Sequence, residues 1–153
     1  MRALIFAILS LAAFFANPVA AATDTPFAVG QVWTLKGDAY ETTRVEIGKT
    51  EIWDDGKPIV HITVFNAPVT DDANTVVAHT TVGHMPYAED ALRRSVGTLV
   101  ESNASPYPDF AGGYDMWKQA KGGVFTVTVQ QAITAVITAA RQAGHTPAPA
   151  SSN

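Results

Sequence analysis

Short runs of β-branched and aromatic residues, several of them alternating with polar residues, fill the chain between positions 29 and 83. Alternation with a period of two is typical of strands, and clusters of Gly, Pro, Asp and Asn separate the runs. The pair Gly37-Asp38 and the segment 54–57 predict hairpin turns, and 66–74 predicts a longer loop. The predicted strands cover 30–36, 41–52, 58–65 and 75–83.

The hydrophobic period changes at Pro86, a residue that is favoured in the first turn of a helix. Glu89 and Asp90 follow, where the helix dipole favours negative charge. The period of the apolar residues then predicts an amphipathic helix over 87–101. Its apolar face would carry Leu92, Val96, Leu99 and Val100.

A second, shorter helix is predicted after a loop over 102–108, with Asp109 as its N-cap. The pair Gly112-Gly113 weakens this helix, because glycine is a poor helix former. Three aromatic residues nevertheless repeat with helical spacing, and they are Phe110, Tyr114 and Trp117.

The segment 124–129 alternates strictly between apolar and polar residues and predicts a fifth strand, placed beside the first strand or at an edge. The predicted order is β-β-β-β-α-α-β-α. It is typical of an α+β domain in which a mainly antiparallel sheet of about five strands has helices packed on one face. The apolar positions that mark the final helix are Ile133, Val136, Ile137 and Ala140.

Residues 1–22 are typical of a cleaved signal peptide. Arg2 precedes an apolar run over 3–15 that is too short to cross a bilayer, and three alanines at the end of the segment suit cleavage. The rest of the chain predicts a single α+β domain over 23–143. The tail over 144–153 is rich in Pro, Ala and Ser and has no apolar period, so it is predicted to be disordered.

Composition and charge narrow the classes of function. Ten basic residues stand against 14 acidic residues, and cleavage would remove Arg2, so we predict no nucleic-acid partner. The chain has no cysteine, which excludes disulfides, thiolate nucleophiles, thiolate metal sites and lipid attachment at a cysteine. These features predict a periplasmic or secreted protein, most typical of a bacterial envelope. We expect no cofactor, and no membrane anchor after cleavage.

Three histidines are candidates for metal binding or acid–base chemistry. If the third and fourth strands pair as a hairpin centred on Thr70, His61 and His79 face each other. His84 ends the fourth strand, where strand parity points it away from His79. Zinc normally needs a third protein ligand, so the pair is predicted to be structural, with a metal site or a pH-sensing or substrate-contacting role as alternatives. In an enzyme, the catalytic residues would be His84, His61 and His79.

Aromatic residues are concentrated between positions 87 and 117. Tyrosine and tryptophan are frequent at interfaces because they combine a large apolar surface with a polar group. As an alternative, the three aromatic residues of the second helix form its inward face. Tyr107, between two prolines, is predicted to be the most exposed of the group. The candidate binding residues are Tyr87, Tyr107, Phe110, Tyr114 and Trp117.

The sequence contains no nucleophile elbow, phosphate-binding glycine loop or zinc-protease motif. It therefore predicts a small exported module that binds a protein or a small ligand, such as an inhibitor or an immunity-type factor, through the loop 102–113 and the adjacent helix. One alternative is a histidine-centred hydrolase or metal-dependent enzyme. Another is an envelope protein that self-associates through an exposed strand such as 124–129.

Overall fold

The computed structural model describes residues 25–144, which form one five-stranded antiparallel sheet and three α-helices. The predicted α+β fold with an antiparallel sheet is confirmed. The predicted signal peptide over 1–22 lies outside the described residues, as does the predicted tail after Gly144. No helix within the described part of the chain is long and apolar enough to span a bilayer.

The five strands lie in the order β4-β3-β2-β1-β5, and every neighbouring pair is antiparallel. A single turn of 3-10 helix, Asp38–Tyr40, follows the first strand. The strands are β1 (Val32–Leu35), β2 (Arg44–Ile52), β3 (Pro58–Thr70), β4 (Val76–Ala88) and β5 (Val96–Glu101). The helices are α1 (Glu89–Ser95), α2 (Phe110–Gln119) and α3 (Val129–Gln142).

The β3–β4 hairpin is longer than predicted, because β3 extends into the segment 66–74 and β4 continues beyond 83 to Ala88. Asn66 has a φ of 53° at an irregular point of the ladder, and asparagine tolerates this left-handed conformation better than most residues. Pairing therefore continues beyond it. The turn is closed by the Asp71 carboxylate, which accepts the backbone N–H groups of Ala73 and Thr75 at 2.9 and 2.8 Å.

The predicted helix over 87–101 ends at Ser95, and β5 follows directly. Gly97 lets β5 approach β1 closely, since a Cβ atom there would lie 2.7 Å from the hydroxyl oxygen of Thr34. The segment therefore forms an edge strand beside β1. Three alternating β-branched residues favour the strand, and they are Val96, Thr98 and Val100.

The segment 124–129 is not the predicted fifth strand. It forms a single bridge, between Phe125 and Tyr87, and then enters α3. Thr128 caps that helix: its hydroxyl accepts the N–H of Gln131, whose side-chain oxygen accepts the N–H of Thr128 at 3.0 Å. The observed order is therefore β-β-β-β-α-β-α-α. The strand on which the self-association alternative relied is absent from residues 25–144.

The helices cover both faces of the sheet, not one as predicted. The core face carries Ile62, together with Leu92 of α1 and Ile133 of α3 in one apolar cluster. The opposite face, which we call the polar face, carries His61 and Thr63, because successive side chains of a strand point to opposite sides. Helix α2 packs on the polar face, against β3 and β4.

Helix α2 approaches the sheet closely because glycines lie at its points of contact. A Cβ atom at Gly48 of β2 would lie 2.3 Å from the ring of Phe110, and one at Gly113 would lie 2.6 Å from Cβ of His84. A Cβ atom at the neighbouring Gly112 would meet nothing within 4 Å. Of the two glycines that weaken the helix by propensity, only Gly113 is therefore needed for packing.

We expect Gly113→Ala to lower the free energy of unfolding by roughly 1–3 kcal/mol, because the added methyl group overlaps His84. The matched control is Gly112→Ala, which adds the same group one residue away in open space. It should be neutral or raise the free energy of unfolding by up to about 1 kcal/mol through helix propensity. Denaturant unfolding measures both. Equal effects at the two positions would contradict the close seating of α2 on β4.

Candidate functional site

A row of hydrogen-bonded polar side chains lies on the polar face beneath α2. We call the four residues Tyr114, Glu51, His61 and His84 the histidine network. The Tyr114 hydroxyl donates to Oε2 of Glu51 at 3.0 Å. Oε1 of Glu51 lies 3.0 Å from Nε2 of His61, and Nδ1 of His61 lies 3.0 Å from Nε2 of His84. The His61 side chain is 0% exposed, so its ring nitrogens depend on these two partners.

The sheet register brings these residues together. A bulge in β2 places Lys49 opposite His61, and Glu51 follows two residues later on the same face. The residue opposite His61 on the other side is Pro86 of β4. His84 precedes Pro86 by two positions and therefore points to the polar face as well. The network thus spans three neighbouring strands before α2 completes it.

His61 and His79 do not face each other, contrary to the prediction. His61 is opposite Pro86, whereas His79 is opposite Pro68 and is exposed. The reason is that the hairpin turn follows Thr70 and is not centred on it, so every pairing is shifted. The two histidines that were considered as metal ligands are therefore apart. Within residues 25–144 no three His, Asp or Glu side chains are placed so that they could hold a metal ion.

One ionised carboxylate fixes the direction of every hydrogen bond in the network. Because ionised Glu51 can only accept, Nε2 of His61 donates to it. Neutral His61 then has an unprotonated Nδ1, which accepts a hydrogen bond from the Nε2–H group of His84. Neutral His84 is left with an unprotonated Nδ1. This atom has no hydrogen-bond partner in the described part of the chain.

The pKa shifts support this arrangement of charge. Burial lowers the pKa of His84 to about 4, and the charge of His61 would add to this effect. Burial also lowers the pKa of His61, against the opposing hydrogen bond and charge of Glu51. Burial alone would raise the pKa of Glu51, but hydrogen bonds from Tyr114 and His61 and the charge of Lys49 hold it below its usual value. At neutral pH both rings are therefore uncharged and Glu51 is ionised.

Three of the predicted binding residues form the apolar cover of the network. The ring centroids of Trp117 and Tyr114 lie 4.8 and 5.0 Å from that of His61, and Phe110 lies 5.5 Å from His84. Phe110 is buried, while Tyr114 and Trp117 are half-buried. These residues are thus the inward face of α2, as the alternative interpretation expected. The outer edges of Tyr114 and Trp117 remain accessible.

The other two predicted binding residues are also packed. Tyr87 is 0% exposed and lies in the core, where its ring stacks on Phe125 at 5.3 Å. Tyr107 is half-buried against Phe65, with a centroid distance of 5.6 Å. Its backbone N–H donates to Glu46 at 3.1 Å, and burial raises the pKa of that carboxyl. The loop around Tyr107 is therefore held down on the polar face.

A cleft of about 490 Å³ opens beside the network, between the β2–β3 turn and the C-terminal end of α2. Trp53 and Trp117 meet there edge to face, with ring centroids 5.6 Å apart and an interplanar angle of 67°. Glu51 belongs to both the cleft and the network. The polar and aromatic lining comprises Glu51, Trp53, Asp54, Trp117, Lys118 and Lys121.

The network has the composition of a proton-transfer chain, but its histidines do not line this cleft. A molecule in the cleft would meet the carboxylate of Glu51 and not an imidazole. The network instead positions two residues that line the cleft, Glu51 and Trp117. It holds Glu51 by both oxygens, and its central ring packs behind the indole of Trp117.

No protein-family model, curated protein or solved structure matches the chain. The residues that sequence reasoning missed are Glu51, Trp53 and the two lysines of the cleft. Trp53 directly precedes the predicted turn at 54–57, with Glu51 two residues before it. Lys118 directly follows Trp117, and Lys121 lies three residues further on. Proximity to a predicted turn and to a predicted aromatic contact was the available signal. It does not reveal that the turn and the helix end meet.

We expect the free energy of unfolding to fall as the pH is lowered from 6.5 to about 4. In this window the unfolded chain protonates His84 near its ordinary pKa of 6.5, while the folded protein keeps the ring neutral down to about 4. The unfolded state binds more protons and is favoured. Glu51, with its lowered pKa, adds a loss that begins only below 4.5. Denaturant unfolding at a series of pH values measures the slope.

Two variants assign this slope to its source. His84→Gln keeps an N–H donor of similar reach but does not titrate, so the loss of stability between pH 6.5 and about 4 should become smaller. The matched control is His79→Gln, the same substitution at an exposed position of the same strand and outside the network. A slope that is as steep in His84→Gln as in the unmodified protein would show that His84 is not its source.

Proposed function

We propose that the protein is an exported binding module that holds a small, ring-bearing ligand in the cleft between the β2–β3 turn and α2. The observation that carries the proposal is the Trp53–Trp117 pair at the wall of a cleft of about 490 Å³. Ligand sites in proteins typically have volumes of about 300–1000 Å³ and combine aromatic walls with a few polar groups. The cleft has both properties.

Packing supports the cleft over the loop 102–113 as the binding surface. In that loop Phe110 is buried and Tyr107 rests on Phe65. Trp53 and Trp117 are half-buried like Tyr107, but they line an open cleft. We therefore propose the C-terminal end of α2, and not its start, as the binding surface.

The walls of the cleft are held in place before any ligand arrives. The indole N–H of Trp117 donates to the carbonyl of Gly123 at 2.9 Å, and Gly122 leaves room for the ring. The backbone N–H of Trp53 donates to the carbonyl of Lys57 at 2.8 Å, which closes the turn. A site that is already ordered loses less entropy when it binds its ligand.

Export is supported by the sequence alone. The leader pattern over 1–22 and the absence of cysteine both suit a protein that acts in the periplasm or outside the cell. The proposal of a binding module, and not of a histidine-centred enzyme, is supported by the position of the two network histidines outside the cleft.

The proposal is tested by fluorine NMR of protein labelled with 5-fluorotryptophan, which should give three signals because the chain has three tryptophans. We expect binding compounds from a chemically diverse fragment library to shift the signals of Trp53 and Trp117. Trp33 lies in the core cluster with 0% exposure and is the internal control.

Conservative variants complete the experiment. Trp53→Phe and Trp117→Phe assign the two signals and should weaken binding by removing part of the aromatic wall. Compounds that shift only Trp33, or that bind equally well to both variants, would place the ligand site elsewhere. A library of this kind that shifts no tryptophan signal would overturn the proposed function.

A further inference from the structure

The carboxylate of Glu51 lines the cleft, but both of its oxygens have hydrogen-bond partners and a lysine ammonium lies beside it. Oε1 faces His61 and Oε2 accepts from the Tyr114 hydroxyl, both at 3.0 Å. The ammonium of Lys49 lies 4.0 Å from Oε2 and further balances the charge. A ligand therefore meets an acid whose two oxygens already have partners.

Two lysines of the cleft are in the opposite situation. Neither Lys118 nor Lys121 takes part in a salt bridge among residues 25–144, and both side chains belong to exposed residues. Lys118 rests over the ring of Tyr114, 5.6 Å from its centroid, and also lines the cleft. The remaining acid of the lining is Asp54. Uncompensated positive charge thus exceeds uncompensated negative charge in the cleft.

The aromatic wall selects for shape. The indole N–H of Trp117, the only polar group of its side chain, donates to Gly123. The side chain can therefore contact a ligand only with the apolar part of its ring. Trp53 stands edge to face against it, at 67°. A flat ring that stacks on one indole therefore meets the edge of the other, an arrangement that suits an aromatic ligand.

We propose that the ligand of this cleft is an aromatic anion, whose ring packs against the Trp53–Trp117 pair and whose carboxylate or phosphate group is held by Lys118 and Lys121. This inference rests on the proposed function, since it names the ligand class of the same site. It also explains how a chain with an excess of acidic residues would attract an anion: the two lysines act locally, beside a carboxylate whose charge Lys49 offsets in part.

The test uses five probes on the fluorotryptophan-labelled protein. Phenyl phosphate has both ring and charge, benzyl alcohol has the ring alone, benzylamine has the ring with the opposite charge, and inorganic phosphate has the charge alone. We expect phenyl phosphate to bind most tightly and its affinity to fall as salt is added. Benzoate should follow phenyl phosphate, because it presents a carboxylate on the same ring.

Charge variants of opposite sign give the sharper test. Lys118→Gln and Lys121→Gln should each weaken phenyl phosphate by roughly two- to five-fold, as expected for an exposed ion pair. Asp54→Asn removes the opposing charge and should strengthen it. Benzylamine should respond to all three variants in the opposite direction. Each substitution is at an exposed position, so folding should be unaffected.

The outcomes separate this inference from the proposed function. If benzylamine or benzyl alcohol shifts Trp53 and Trp117 at lower concentration than phenyl phosphate, the cleft binds rings but the anion assignment is overturned. If inorganic phosphate binds as tightly as phenyl phosphate, the aromatic part is overturned. If library fragments bind at the cleft and no anion does, the proposed function stands without this ligand class. Lysine variants that leave phenyl phosphate binding unchanged also contradict the inference.

Discussion

The hydrogen bonds from Glu51 through His61 to His84 are the constraint on which the rest of the polar face depends. A ring that is 0% exposed cannot leave its nitrogens without partners, because an unpaired buried polar group costs roughly 1–3 kcal/mol. Three strands must therefore be in the correct register, and a cover must exclude water. Helix α2 supplies that cover, and its own Tyr114 completes the coordination of the carboxylate.

The same packing creates the cleft. Helix α2 lies low on the sheet because Gly48 and Gly113 have no side chains, and this brings its C-terminal end beside the β2–β3 turn. Trp117 then stands between the ring of His61 and the open space in front of Trp53. The indole of Trp117 thus covers the buried network and also forms part of the accessible wall of the cleft. A change that loosens the network would consequently move a wall of the binding site.

Local patterns of the sequence were sufficient for the parts of the fold with strong local signals. The hairpin turn at 54–57 and the helical spacing from Phe110 to Trp117 both have direct counterparts in the structure. Two predictions were wrong because the sequence pattern suits both a helix and a strand. The segment 96–101 has apolar residues that suit a helix face or an edge strand, and pairing with β1 decided the outcome. At 124–129 strict alternation was outweighed by the capping box of Thr128.

The site could not be predicted from local sequence patterns, because the register of the strands, and not sequence spacing, brings its residues together. His61 was a candidate, but the predicted partner was wrong because the hairpin turn follows Thr70 and is not centred on it, which shifts every pair. Glu51 and Tyr114 are 63 residues apart in the chain, and no periodicity links them. A buried histidine and a half-exposed aromatic residue are ordinary features one at a time. Only the assembled sheet shows that they belong to one network.

The protonation pattern of the two network histidines is the most direct measure of this account, and long-range ¹⁵N–¹H NMR on uniformly ¹⁵N-labelled protein at neutral pH reports it. We expect both rings to be neutral, with the proton on Nε2 in each. A scalar coupling should connect Nε2 of His84 with Nδ1 of His61, across their 3.0 Å hydrogen bond. A proton on Nδ1 of His61, a charged ring, or no detectable coupling between the two nitrogens would contradict the network as the element that organises this face.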